Sequence, residues 1–240
     1  MTTEDGKEMT PVSGPGYTGI INLGNSCYMA SVLQTVFSIP AFQNKYYQSL
    51  HPHTCYESPA DCYYCQMCKL ADGLLSGRYS NPAMSHSGIS PSMFKTLIGK
   101  GHPEFSTMRQ QDAQEFLGFL LGIVEQKEKS TGTDPSASCR FMGESRIQCM
   151  ECEHVQYKLQ DTSSLFLRIP ANPTGEVVDG KELYHGVDLN DCIASYFESD
   201  LREFNCPVDN QKTTASLYVL SSTFNFCLIV PRDFIHILIS

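Results

Sequence analysis

Cys27 sits where local electrostatics would make a nucleophile. It lies in the run Asn22-Leu23-Gly24-Asn25-Ser26-Cys27-Tyr28-Met29-Ala30-Ser31, in which Asn25 and Ser26 are helix-capping residue types. Behind them Met29, Val32, Leu33, Val36 and Phe37 recur at helical spacing as far as Pro40. That pattern predicts a helix with Cys27 in its first turn, where unpaired amide N–H groups and the positive end of the helix dipole favour thiolate over thiol. Gly24 permits a close approach of backbone to a substrate carbonyl, and the Asn22 side-chain amide could donate to the same carbonyl oxygen as an oxyanion donor. The chemistry available is acyl transfer through a thioester. The competing reading of any single cysteine in such a stripe is an ordinary buried thiol.

Two further groups of cysteines have metal-like spacing. Cys62, Cys65 and Cys68 recur every third residue, and Cys55, His51 or His53 could complete a zinc set; the alternative is a helix start that carries reduced thiols, since Met67, Leu70, Leu74 and Leu75 are helically spaced. Cys149 and Cys152 have the form of a zinc-ribbon knuckle, and Cys206-Pro207-Val208-Asp209 stands where a second such pair would be expected. Three thiolates with Asp209 in the fourth place predict zinc bound weakly or not at all, although a carboxylate can ligate zinc.

The elements that must position these residues are legible by period. A short second helix is expected over 41–50, an exposed loop over 80–91, and a short helix from Pro91 ended by Gly99 and Gly101. Thr107-x-x-Gln110 has the form of a capping box, and Ala113, Phe116, Leu117, Leu120, Leu121 and Val124 predict a long helix over 110–129. Gly118 and Gly122 share a face of that helix, which suggests a second backbone packed closely against it, that of the Cys27 helix. From Arg140 the period changes to two: Val155, Tyr157 and Leu159 alternate, as do Leu165, Leu167 and Ile169 up to Pro170. Asp188 can cap a helix with Leu189, Cys192, Ile193, Tyr196 and Phe197 on its buried stripe, and 217–220 returns to strand character.

A chain of 240 residues with 41% apolar content can bury a substantial core. A formal net charge of −9 argues against nucleic-acid and anionic-membrane partners and for a basic partner or peptide tail. Residues 1–16 are polar and read as a disordered leader, neither signal peptide nor anchor. Eleven cysteines without a secretory signal suggest thiols and metal ligands rather than a disulfide framework, and hence the cytosol or nucleus.

The run Gly19–Met29 resembles the cysteine box of the ubiquitin-specific proteases, the papain-like deubiquitinases, and Gln110-Gln111-Asp112-Ala113-Gln114-Glu115-Phe116 resembles that family's Q-x-D-x-x-E-[FL] element. Gly14–Tyr17, Phe37–Pro40, Leu74–Gly77 and Lys95–Thr107 make the similarity closest to the isopeptidase T branch. The resemblance implies an α+β, papain-like cysteine protease with a helical thumb (17–130), β-rich fingers (131–220) and a divergent end (221–240), and a chain that is the N-terminal half of a catalytic domain. It implies Cys27 as nucleophile, Asn22 as oxyanion residue, and Asp112 with Gln110 as residues that hold the ubiquitin tail. Its substrates would be polyubiquitin chains or ubiquitinated proteins, with no cofactor required and zinc only structural. For Asp112 a carboxylate serving the helix dipole is the competing role. None of the seven histidines stands in the family's histidine-box context, so the expected alternative is a non-catalytic ubiquitin-binding fragment or pseudo-enzyme. A purely zinc-organised interaction module is a third reading.

Overall fold

Helical apolar spacing accounts for the first part of the chain. In the computed structural model, which describes residues 6, 12–48, 55–56, 58–81, 88–178, 180–208 and, by their backbone, 212–221, helix α1 (Cys27–Val36) buries Met29, Val32, Leu33 and Val36 completely, and Phe37 closes the stripe at the C-cap. Pro40 starts the next helix rather than merely ending this one: it is the first residue of α2 (Pro40–Tyr46), where a missing N–H is harmless. Helix α3 (Tyr63–Leu75) buries Met67, Leu70, Ala71 and Leu74 and packs on α2 and on α4 (Ser92–Ile98). Helix α5 (Ala113–Glu128) lays Phe116, Leu117, Leu120, Leu121 and Val124 toward the core and packs on α1. At its far end buried Glu128 pairs with Lys45 at 2.7 Å and accepts from the Tyr46 hydroxyl at 3.0 Å, so a charge inside the core has the partners it requires.

Two expectations for α5 are corrected. Its N-cap is Asp112, two residues beyond the predicted start, because the Asp112 carboxylate accepts from Gln114 N at 2.7 Å and Glu115 N at 3.0 Å. Thr107 instead donates to Glu104 O at 2.7 Å and belongs to the preceding turn. The close backbone inferred from Gly118 and Gly122 is not there: both glycines are exposed, and a Cβ at either would meet nothing within 4 Å. Helix α1 packs on the opposite, side-chain-bearing face. Close backbone is admitted elsewhere, at Gly77, Gly88 and most tightly Gly99, where a Cβ would come within 2.5 Å of Phe105 O.

The chain divides into two compact units between Ser138 and Cys139, after a 3₁₀ turn begins at Pro135. The second unit holds a four-stranded antiparallel sheet of order β2-β1-β6-β5, with β1 (Phe141–Cys149), β2 (Val155–Thr162), β5 (Asp200–Asn205) and β6 (Lys212–Ser221). A separate hairpin joins β3 (Pro173–Val178) to β4 (Lys181–Tyr184), with Val178 opposite Lys181. In sequence the dipeptide between them is Asp179-Gly180, a strong hairpin signal. Asp188 caps α6 (Leu189–Phe197) through Asn190 N at 2.7 Å, but Cys192 is the one fully buried member of the expected stripe and the others are half-buried. Residues 165–169 alternate in sequence yet form no strand, since they pair with no neighbour among the described residues; Phe166 is exposed. The apolar run from Phe224 lies outside the described residues, and no described helix is long and apolar enough to cross a membrane.

Because Gly118 and Gly122 are exposed and uncrowded, alanine at either should raise stability by about 1 kcal/mol by removing the cost of helical glycine. Alanine at Gly99 should lower it. Thermal unfolding of the three variants reads the signs directly; a destabilising Gly118→Ala would mean that a neighbour does press on that face.

Candidate active site

Cys27 is the first residue of α1 and is half-buried, and the loop that delivers it is built on itself. Gly24 and Asn25 adopt successive left-handed conformations, φ +89° and +56°, the first suited to glycine and the second tolerated best by asparagine. Asn22 Oδ1 accepts from Gly24 N at 3.1 Å, from Ser26 N at 3.0 Å and from Ser26 Oγ at 3.1 Å, while Ser26 Oγ accepts from Leu23 N at 2.8 Å. Ser26 therefore occupies the N-cap position without capping: its side chain turns back into the loop and makes no bond to the helix. Ser26 thus leaves the N–H groups of the first turn of α1, the turn that Cys27 opens, uncapped. With Oδ1 committed, the Asn22 side chain has its Nδ2 donor left to offer, and Asn22 is exposed.

The frame around the loop is tied by backbone. Ile21 N donates to Ile89 O and Ile89 N to Gly19 O, each at 2.9 Å, a short parallel bridge that fixes the approach to Asn22. Asn25 Nδ2 donates to Met108 O at 3.1 Å and joins the cysteine loop to the segment leading into α5. Buried Lys95 holds that segment from below, its Nζ donating to Thr107 O at 2.6 Å and Phe105 O at 3.4 Å. His102 stacks on Phe105 at 4.3 Å, and its Nδ1 accepts from Glu104 N and Phe105 N, both at 3.2 Å, which leaves the ring proton on Nε2. Tyr28, next to Cys27, packs edge-on to Phe116 at 5.3 Å; burial first, and then the Cys27 charge, raise its hydroxyl above the usual tyrosine range. Neither the Asn25 to Met108 bond nor the Lys95 bracket follows from spacing, although a buried lysine is a signal in its own right once a core is drawn.

Asp112 and Gln110 are exposed at the start of α5, on the segment joined to the cysteine loop through Asn25. Oδ1 of Asp112 is engaged in the cap, and Oδ2 has no partner among the described residues. The capping role weighed for this carboxylate thus occupies only one of its oxygens.

The first cysteine group departs from its spacing and the second follows it. Cys55, Cys62 and Cys65 converge with sulfurs within 4.8 Å of one another, whereas Cys68, one helical turn on, stands apart; His51 and His53 lie outside the described residues. In the second unit Cys149 ends β1 and Cys206 follows β5. Because both strands pair with β6, they bring the Cys149, Cys152 and Cys206 sulfurs within 4.8 Å of one another. The Cys152 and Cys206 sulfurs are 3.5 Å apart. Backbone N–H groups of Cys152 and Glu151 point at the Cys149 sulfur and lower its pKa. Cys152 receives a backbone hydrogen bond from His154, which favours its thiolate, but desolvation and the neighbouring Cys206 and Cys149 thiols outweigh it and push the group up to about 11. These three thiols fit three positions of a tetrahedral zinc; Asp209, the expected fourth ligand, lies outside the described residues.

A helical unit opened by this cysteine loop, followed by an antiparallel β-rich unit, has the fold of the papain-like α+β class. Within it the chain belongs to the ubiquitin carboxyl-terminal hydrolase family, which residues 18–225 match. Ubiquitin carboxyl-terminal hydrolase 5 of Mus musculus is 45% identical over 182 residues, 70% of this chain and 21% of the relative. Ubiquitin carboxyl-terminal hydrolase 14 of Schizosaccharomyces pombe is 35% identical over 237 residues, 92% of this chain and 30% of the relative. The chain thus spans less than a third of the length of these relatives. Among solved structures, the SAGA Ubp8/Sgf11/Sus1/Sgf73 DUB module bound to ubiquitin aldehyde shares the fold with a TM-score of 0.59 at 21% identity, covering 89% of this chain and 47% of that one.

The cap assigns Asp112 a structural contribution. Asp112→Ala should cost about 1 kcal/mol of stability, while Asp112→Asn, which keeps an N-cap acceptor and loses the charge, should unfold close to the parent temperature. Equal losses in the two variants would show that the charge rather than the acceptor supports the helix.

Proposed function

We propose that this chain carries the nucleophile and oxyanion donors of a thiol-dependent deubiquitinase. Cys27 Sγ, as thiolate, attacks the carbonyl carbon of the ubiquitin C-terminal glycine in an isopeptide or peptide bond. The C–N bond breaks, the amine leaves with a proton from a general acid, and water hydrolyses the thioester. The observation that carries the reading is the Ser26 hydroxyl turned away from α1, which leaves first-turn N–H groups and Asn22 Nδ2 as donors beside Cys27. In this reading Asp112 Oδ2 and Gln110 hold the extended, arginine-bearing tail through charge-assisted bonds. Polyubiquitin chains or ubiquitinated proteins in the cytosol or nucleus are the substrates this chemistry serves. Zinc, where bound by Cys149, Cys152 and Cys206, ties two chain segments of the β-rich unit together and supplies no reactive group.

A specific observation favours binding without turnover as the property of this chain alone. Nδ1 of His102 is already engaged by two backbone N–H groups, and the histidines of the sequence include none in a histidine-box context. A helix N-terminus favours a thiolate but does not protonate a leaving amine. With a fluorogenic ubiquitin C-terminal amide, the chain should therefore release no more than a trace of fluorophore. Loss of one member of a comparable catalytic unit costs roughly 10⁴ to 10⁶ in kcat. Steady release abolished by Cys27→Ala would show instead that a base reaches the thiol. Asn22→Ala should slow thioester formation by on the order of 10²- to 10³-fold if its amide is an oxyanion donor.

A further inference from the structure

We propose that Cys55, Cys62 and Cys65 form a second, structural metal site, for a thiophilic ion of the zinc class, at the N-terminus of α3. Three observations support it. The first is convergence: the sulfurs lie within 4.8 Å of one another although Cys55 comes from a separate stretch of chain seven residues ahead of Cys62. Zinc bonds to sulfur of about 2.3 Å in a tetrahedron put ligand sulfurs about 3.8 Å apart, so small side-chain rotations close the set.

The second is that the turn leading into α3, from Ser58 to Cys62, is braced. Ser58 O accepts from Asp61 N at 2.8 Å and from Cys62 N at 3.0 Å. The fully buried Gln66 side chain donates to Pro59 O at 2.7 Å, which fastens that turn to the body of α3. The turn thus holds its shape through hydrogen bonds that do not involve the sulfurs, and it presents Cys62 and Cys65 at the start of α3 without help from an ion.

The third is the electrostatic setting. Cys62 is the N-cap of α3 and makes no side-chain cap bond, and Cys65 is the third helical residue. Both sulfurs therefore stand at the positive end of the helix dipole, where first-turn N–H groups are available to a negatively charged cluster. Binding Zn²⁺ by three thiols releases three protons and leaves a net charge of −1 on the tris-thiolate, which this end of the helix stabilises. Soft thiolate donors select zinc or similar ions over magnesium and calcium. Cys68 is not a ligand, and among the described residues no fourth histidine, cysteine or carboxylate joins the cluster, so one coordination position is left to a further donor. The ion would clamp Cys55 to the first turn of α3 and has no part in the Cys27 chemistry.

The test uses the whole chain, purified under reducing conditions without chelator. Zinc content should fall by one ion per chain in Cys62→Ser and in Cys65→Ser and stay at the parent value in Cys68→Ser. Because a serine variant could fold poorly, a second measurement needs no substitution: alkylation mapped by peptide mass spectrometry before and after a strong chelator. Cys55, Cys62 and Cys65 should be protected together and become reactive together on metal removal, separately from Cys149, Cys152 and Cys206, with Cys68 unchanged. Alkylation of the three cysteines that is the same with and without chelator overturns the proposal. So does recovery of Cys55 in a disulfide with Cys62 or Cys65 from protein handled anaerobically.

Discussion

The hydrogen bonds that tie the Ser26 hydroxyl to Asn22 Oδ1 and Leu23 N are the constraint on which the rest of the site depends. A serine in the N-cap position ordinarily turns its oxygen onto the helix and gains about 1 kcal/mol by doing so. Here that oxygen closes the preceding loop instead, and α1 begins without a cap bond from it. The same arrangement immobilises Asn22 through three bonds to its Oδ1, which determines the side of the amide that faces away from the loop. Local stability at the helix end is lower, and the helix that begins at Cys27 keeps first-turn amides that Ser26 does not cap. Sites of this kind commonly forgo local stabilisation in exchange for preorganisation.

A loop with two consecutive left-handed residues needs a rigid surround. The stripe of α1 from Met29 to Val36 is buried against α5, and the far end of α5 is anchored by Glu128, Lys45 and Tyr46. Between these fixed points the segment Phe105–Asp112 is held by Lys95 below and Asn25 beside it. Asp112 is thus at once the cap that starts α5 and a surface carboxylate on a segment bonded to the cysteine loop. The helix that begins at Cys27 and the helix that Asp112 caps are positioned by one core.

What the sequence discloses follows from the range of the interaction concerned. The apolar stripes of α1 and α5, the break at Pro40 and the cap at Asp188 depend on residues within a turn or two of each other, and they are legible. The start of α5 was misplaced because Thr107 and Asp112 are both capping types, and the bond from Lys95 Nζ to Thr107 O, not propensity, fixes where the preceding turn ends. The face shared by Gly118 and Gly122 could not be told from a packing face, since exposed and crowded glycines look alike in sequence. Residues 165–169 alternate correctly but have no paired strand, and strand formation depends on that partner more than on the alternation itself. The convergence of Cys149, Cys152 and Cys206 is legible in knuckle spacing, whereas an even three-residue spacing does not reveal that Cys68 stands outside the cluster of Cys55, Cys62 and Cys65. The family motifs around Cys27 and Asp112 were the most specific signal, and residues 18–225 bear out the family they indicated.

The central claim is that Cys27, among eleven cysteines, is the one presented for attack on a ubiquitin C-terminal carbonyl. Intact-mass analysis after incubation with ubiquitin bearing a C-terminal electrophile, followed by peptide mapping of the adduct, tests it directly. A single ubiquitin should be added, mapped to Cys27, and lost in Cys27→Ala while unmodified ubiquitin competes with the reaction. An adduct distributed over the other cysteines, or one that persists unchanged in Cys27→Ala, would contradict the account.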